Sequence, residues 1–420
     1  MTVSEKDKHF IWHPYTQMKD AFPNIVIDRG EGAYLFDENG KRYIDAVSSW
    51  WVNLHGHSHP YLKDAINKQF DKIEHVIFAG FTHESAVNLA ERILFHLPEN
   101  QTKVFYSDDG STAVEVAMKM ALQYWHNKGE NKTKLVALEG AYHGDTFGAM
   151  SASSRSAFNA PFQSFLFEVE FVDFPSAQSK TLNQLEALFA KGDVAAFIFE
   201  PLLQGTAGMK IYTADLLEKM LALCIKYHVI SIADEVFTGF YRTGKFFACD
   251  YQNGQPDIFC LSKGLTGGVM PLGVTTCSEK IYEAFLSDGS DKVKTFFHGH
   301  SYTANPLACA VAVASMQLLE KEETQKSILR ISGRHKEFAE KIKSNKKVKE
   351  VRCLGTILAI EFSGEEGYFS KMRNEIYQFF ISKGILIRPL GNVIYLVPPY
   401  CISDEDLDYI YNAIIEFLEK

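Results

Sequence analysis

The sequence predicts an α/β protein with a large domain on a mostly parallel central sheet, plus a smaller α+β domain drawn from both chain ends. Three observations carry this expectation. From about residue 104, short β-branched or aromatic runs alternate with helical periods, the pattern of a parallel sheet covered on both faces. Residues 25–47 and 350–420 read differently, as short strands and mixed structure. The chain's 420 residues also exceed what one hydrophobic core usually organises.

The elements follow in chain order. Residues 25–47 suggest short antiparallel strands around the turn Asp37-Glu38-Asn39-Gly40. Val104–Ser107 reads as a strand, followed by a helix whose apolar Val114, Ala117, Met118, Ala121 and Trp125 recur at spacings of three and four. Further strands are expected at Leu135–Leu138, Val194–Glu200, Val229–Ala233 and Ile258–Leu261. A helical stretch spans about 305–345, and the chain closes on the amphipathic segment Glu405–Leu418. The large domain is assigned to residues 56–310, and the small one to 1–55 together with 311–420.

Composition narrows the class. At 46% hydrophobic and 23% charged, the chain is ordinary for a soluble globular protein and lies outside the disordered range. A net charge of -9 and the lack of any basic tract argue against nucleic acid as a partner. Seven scattered cysteines with no C-x-x-C spacing point to reduced thiols, not to disulfides or a zinc site. The polar start Met1–His9 has no apolar core of a secretory signal, and no apolar run approaches bilayer-spanning length. The expectation is a soluble, cytoplasmic protein with no membrane partner.

Two residues stand out by position. Asp234 ends the run Ile230-Ser231-Ile232-Ala233, and Lys263 follows Ile258-Phe259-Cys260-Leu261-Ser262. In open α/β sheets, ligands gather at the carboxyl ends of strands. A lysine there can form a Schiff base with pyridoxal phosphate, and an aspartate can hold that cofactor's ring nitrogen protonated. An isolated lysine after a strand is usually a solvated loop residue. Here the flanks Leu261, Ser262, Gly264 and Leu265 are apolar and small, which leaves room for a bulky ligand and lowers the amine's pKa by desolvation.

Other segments fit around that pair. Ser107-Asp108-Asp109-Gly110-Ser111-Thr112 lies between a strand and a long helix, where Gly110, the two hydroxyls and the helix N-terminus favour a phosphate. Plain N-capping by Asp109 or Ser111 explains the same residues equally well. Tyr142, in Gly140-Ala141-Tyr142-His143-Gly144-Asp145, follows the Leu135–Leu138 strand, so it either stacks on a planar ring or packs as a loop tyrosine. Trp50 and Trp51 read as core by default, with a pocket wall for an apolar substrate as the alternative.

Two segments are decoys. Gly239–Phe246 nearly spells a P-loop, but Phe246 replaces the magnesium-binding hydroxyl and no helix follows. His55, His57 and His59 have no carboxylate or thiol at ligand spacing, so they read as loop histidines and not as a metal site. His298-Gly299-His300 reads the same way.

The chain resembles the class III (fold type I) pyridoxal-phosphate aminotransferases over nearly its full length. The family's lysine block is Ile232-Ala233-Asp234-Glu235-Val236 through Pro256-Asp257-Ile258, then Ser262-Lys263-Gly264-Leu265-Thr266-Gly267-Gly268. Its biotin-pathway branch is marked by Trp12-His13-Pro14-Tyr15-Thr16, Ser48-Ser49-Trp50-Trp51, Val114 to Ala121, Tyr142 to Met150 and Ile387-Arg388-Pro389.

The resemblance implies a fold type I transferase that uses pyridoxal 5'-phosphate. Lys263 would be the Schiff-base lysine and proton shuttle, Asp234 the partner of the pyridine nitrogen, and Tyr15 a third catalytic residue that helps admit two unlike substrates. Tyr142 would stack on the ring, with Gly110 and Ser111 at the phosphate. Ser301 would reach that phosphate from the neighbouring subunit of a homodimer. Trp50, Gly299, Arg388 and Tyr395 would line the substrate pocket, with Arg388 on the acid's carboxylate.

The implied reaction moves an amino group from S-adenosylmethionine to 8-amino-7-oxononanoate. Lysine as donor, or another ω-amine transaminase, are the alternatives. A catalytically silent cofactor-holding protein is a further one, opposed by the joint presence of Lys263, Asp234 and Tyr142. Asp108-Asp109-Gly110-Ser111 stands where Asp-Ser-Gly-Ser is usual in the family, and His300-Ser301 where Pro-Thr occurs. Gln204-Gly205-Thr206 lacks the glutamate of the ornithine and 4-aminobutyrate enzymes' Gln-Gly-Glu segment.

Overall fold

The computed structural model describes residues 1–289, 294–364 and 371–420. Among these, seven strands form the central sheet. Their order across it is Gln101–Ser107, Gly273–Ser278, Ile258–Leu261, Ile230–Asp234, Val194–Phe199, Lys134–Leu138 and Val169–Val172. All run parallel except Gly273–Ser278, which is antiparallel to both neighbours. Helices cover both faces, so the inner strands Val194–Phe199, Ile230–Asp234 and Ile258–Leu261 are buried along their whole length. This two-sided burial explains why they read as unbroken apolar runs in the sequence.

The strands expected from 104 onward all form, with ends shifted by a few residues: the first begins at Gln101 and the third ends at Phe199. Two members of the sheet were not anticipated. Val169–Val172 is short and alternates, and Gly273–Ser278 carries two threonines and a glycine, so neither stands out from loop sequence. The single helical stretch expected over 305–345 is two helices, Pro306–Leu319 and Glu322–Ile342.

The chain ends build two further sheets. Ile27–Glu31, Tyr34–Asp37 and Arg42–Asp45 pair antiparallel, and Ile385–Leu386 joins Arg42–Asp45 in parallel from the far end of the chain. At the anticipated turn, Asp37 Oδ1 accepts from the Asn39 and Lys41 amides, both at 2.9 Å, and Gly40 supplies φ +80°. Val348–Leu354, Ile357–Phe362 and Val393–Leu396 form an antiparallel sheet.

The last helix, Asp404–Glu419, begins where Ser403 Oγ accepts from the Asp406 amide at 3.0 Å. Its buried stripe Leu407, Ile410, Ile414 and Leu418 has the spacing of one helix face. Removing the cap leaves a first-turn amide without its partner. Ser403→Ala is expected to cost about 1 kcal/mol, read as faster hydrogen exchange in the amides of this helix than in the central sheet.

Candidate active site

Asp234 and Lys263 meet because their strands are parallel neighbours in fixed register. Asp234 pairs with Cys260, and Lys263 lies three residues farther on, past the end of the strand. Both line a cavity of about 670 Å³ at the carboxyl edge of the sheet. That volume suits a small cofactor with its substrate. Gly110, Ser111, Tyr142, His143, Glu200 and Trp51 line it too.

The Lys263 Nζ lies 4.7 Å from the Trp51 ring centroid and 5.6 Å from that of Phe237. Burial pushes its pKa down, with Asp234 and Glu200 pulling the other way. A larger fraction of the amine is therefore neutral than on a surface lysine. Its backbone sits at φ +43°, left-handed for a non-glycine residue.

Asp234 is anchored on two sides. Oδ1 accepts from the Val236 amide at 3.1 Å, and Oδ2 lies 2.7 Å from His143 Nδ1. The imidazole Nε2 is buried and finds no partner among the described residues. Beneath Tyr142, the Glu200 carboxylate accepts from the Tyr142 amide at 3.1 Å and the Gly205 amide at 3.0 Å. Burial pushes Glu200 up to about 7, His143 opposes that shift, and Asp234 adds to it.

The capping reading of residues 107–112 is what the structure shows, and Gly110 and Ser111 also line the cavity, where the phosphate reading needs them. Asp109 caps the helix Gly110–Asn127, accepting from the Thr112 amide at 2.8 Å, while Thr112 Oγ1 accepts from the Asp109 amide at 3.1 Å. Thr112 is therefore spent on the cap, and Ser111 is the hydroxyl that faces the cavity. Ser111 Oγ pairs with Thr146 Oγ1 at 2.9 Å and accepts from the Thr146 amide at 3.0 Å. A side chain on Gly110 would come within 2.6 Å of Val236, and one on Gly144 would strike Ser111. With the Thr112 amide taken by the cap, the Gly110 and Ser111 amides are the first-turn donors beside the cavity.

Tyr15, Trp50 and Arg388 are not among the residues that line the cavity, but form a rim cluster joined to it through Tyr142 and Asp145. Tyr15 hydroxyl pairs with Tyr142 hydroxyl at 3.2 Å and donates to Asp145. Burial, then the bond to Tyr15, pushes the Tyr142 phenol up. Trp50 meets Tyr15 edge-on at 5.5 Å, and the Arg388 guanidinium sits 4.3 Å above the Trp50 ring. Both tryptophans hang from Ser48–Trp51, a left-handed turn with φ of +49°, +43°, +72° and +74°. Left-handed backbone costs about 1–2 kcal/mol per non-glycine residue, so something must hold this turn in place.

The remaining expected residues lie apart. Tyr395 is buried behind Trp51 with ring centroids 6.0 Å apart, and among the described residues it does not line the cavity. Gly299 and Ser301 are exposed and also outside it. Their loop lies along its own chain's helix, with His298 Nδ1 2.9 Å from Lys119 Nζ.

The three loop histidines diverge. His55 is buried against Ser315 Oγ at 3.0 Å and pushed down to about 3 by burial, His57 pairs with Asp45, and His59 caps the helix Pro60–Phe70. No cluster of metal ligands forms among the described residues.

His143, Glu200 and Phe237 join the site without having been singled out in the sequence. Glu200 follows the end of its strand as Asp234 ends its own, so the carboxyl-edge rule would have found it. Phe237 carries no such mark.

The sequence pattern of the family described as "Aminotransferase class-III" matches residues 15–418. The chain belongs to the class-III aminotransferases. It is 47% identical to an adenosylmethionine-8-amino-7-oxononanoate aminotransferase of Synechococcus elongatus, over 98% of each chain. The solved enzyme of that same name from Methanocaldococcus jannaschii superposes with a TM-score of 0.94 at 39% identity, covering 99% of this chain and 98% of that one. An amine transaminase from an uncultivated Pseudomonas species, solved in its PLP-bound form, superposes with a TM-score of 0.90 at 29% identity over 97% of each chain. The expected α/β class and the aminotransferase assignment therefore hold.

The raised Glu200 has a consequence for stability. A carboxyl whose pKa climbs from 4.5 to about 7 on folding loses stability as pH rises through that interval. A glutamine there carries no such charge but can accept from only one of the two amides. Glu200→Gln is expected to melt below the wild type near about pH 5, with the gap closing toward about pH 8. A gap independent of pH in thermal unfolding would contradict this.

Proposed function

We propose that the chain transfers the amino group of S-adenosylmethionine to 8-amino-7-oxononanoate, giving 7,8-diaminononanoate in biotin synthesis. The observation that carries the reading is the joint placement of Lys263, Asp234, Gly110, Ser111 and Tyr142 around one cavity, with Arg388 and Trp50 at the rim beside Tyr15. Near-full-length identity to relatives bearing the enzyme's name supports the substrate pair.

Pyridoxal phosphate fits the residues present. Gly110 and Ser111 would hold its phosphate at the helix N-terminus, Tyr142 would lie against its ring, Asp234 would face the ring nitrogen, and Lys263 would be its covalent anchor. When bound, that group supplies an electron sink that makes a proton on the substrate's amine-bearing carbon labile. The chain's own part is to place and move that proton. Desolvated Lys263, with its pKa lowered, keeps more of its Nζ neutral and so available to take that proton than a solvated lysine would. His143 orients the Asp234 carboxylate through Nδ1. Trp51 and Phe237 keep water from the amine.

Arg388 would bind the carboxylate of the long keto-acid, and Trp50 and Tyr15 would wall its aliphatic chain or the donor's adenine. Exposed Ser301 and Gly299 fit a homodimer in which each serves the partner's site. We assign residues 56–310 to the cofactor-binding domain, and 1–55 with 311–420 to the smaller one. The chain would work in the cytoplasm. No helix of the described residues is long and apolar enough to cross a membrane.

Two tests follow. Borohydride reduction of the purified protein should add the cofactor's mass to the peptide carrying Lys263, and an adduct elsewhere, or none, would refute the assignment. Arg388→Ala should lower kcat/KM for the keto-acid about 10- to 150-fold, the loss of one charge-assisted bond of about 1.5–3 kcal/mol. A panel of donors at fixed keto-acid, read as diamine formed, should show S-adenosylmethionine outpacing lysine.

A further inference from the structure

The left-handed turn Ser48–Trp51 places both rim tryptophans, and a directed chain of side chains ends on it. The Gly56 amide donates to Asn53 Oδ1 at 2.8 Å, which fixes the orientation of that amide group. Asn53 Nδ2 therefore donates to His57 Nδ1 at 3.1 Å. With Nδ1 accepting, His57 carries its proton on Nε2 and donates to Asp45 Oδ2 at 2.9 Å. Asp45 is fully buried, and its two oxygens take the Ser49 amide at 2.9 Å, the Val47 amide at 3.3 Å and the Ser49 hydroxyl at 2.7 Å.

Asn53 bonds His57, His57 bonds Asp45, and Asp45 clamps the strained backbone. The Asp45 strand also pairs Asp45 with Leu386, two residues before Arg388. Trp51 has further support from Phe237 and Tyr395, whereas Trp50 is 38% exposed and meets Tyr15 and Arg388.

We propose that Asn53, His57 and Asp45 are positioning residues that hold the Ser48–Trp51 turn and thereby set the Trp50 wall against which the substrate chain lies. None of the three lines the cavity. The assignment rests on the reaction proposed above, and it gives His57 a task beyond loop packing. Because Lys263 is placed by a different strand, loosening the relay should weaken substrate binding more than chemistry.

The test uses the full-length holoenzyme. His57→Ala is expected to raise KM for the keto-acid about tenfold with kcat changed less than about threefold, and with the cofactor's visible absorbance retained. His57→Gln, whose amide can still donate to Asp45, should restore KM. If His57→Ala does not accumulate as folded protein, Ser49→Ala removes one bond to Asp45 and should raise KM about threefold.

Acrylamide quenching of tryptophan emission in a Trp12→Phe background, where Trp50 and Trp51 emit together with the buried Trp125, should increase on His57→Ala whichever substrates the enzyme accepts. That readout separates failure of the relay from failure of the proposed reaction, which would show as a wild type that does not turn over. Unchanged KM or unchanged quenching in these variants overturns the proposal. So does a fall in kcat alone that His57→Gln does not reverse.

Discussion

The parallel register between Ile230–Asp234 and Ile258–Leu261 is the constraint on which the site depends. Side chains alternate faces along a strand, so a slip of one residue would send the Asp234 carboxylate to the other side of the sheet. That slip is prevented by burial on both faces, where each strand residue fills a defined space in the core. The placement of an acid and an amine three residues apart across two strands is thus enforced by hydrophobic packing, far more than by any bond between them.

Around this pair the protein handles charge by controlled desolvation. Lys263 is pushed toward its neutral form, and Glu200 toward its protonated form, by the same loss of water. Asp234 is held by a backbone amide and an imidazole, and Glu200 by two backbone amides. The outcome is an amine able to take a proton beside a carboxylate that stays oriented.

The rim works on another principle. Four successive residues in left-handed backbone would not persist in an isolated peptide. They persist here because Asp45 binds the turn from one side, while Arg242 binds the Trp51 and Asn53 carbonyls at 3.3 and 3.4 Å from the other. Arg242 is itself fully buried and donates to the Pro398 carbonyl at 2.9 Å. Strand, turn and C-terminal segment are therefore fastened together at the point where substrate would lie. Strain of this kind concentrates where function needs a geometry that local propensity would not choose.

The layered α/β architecture, the strand ends carrying Asp234 and Lys263, and the capped helix that starts at Gly110 are all legible in the sequence. Each of these is written in a local period or in a short run of residue types. Membership of the aminotransferase class is legible there too, through ordered blocks spread along the whole chain. What only the tertiary structure decided was how distant segments meet: Tyr15 with Tyr142 and Asp145, Arg388 over Trp50, and Asp45 with His57 under a left-handed turn. Tertiary packing also separated Ser111, which faces the cavity, from Thr112, which closes the cap. The reason is physical. Periodicity reports which face of an element is buried, but contacts between segments hundreds of residues apart depend on how the faces dock, and left-handed backbone in non-glycine residues has no local signature.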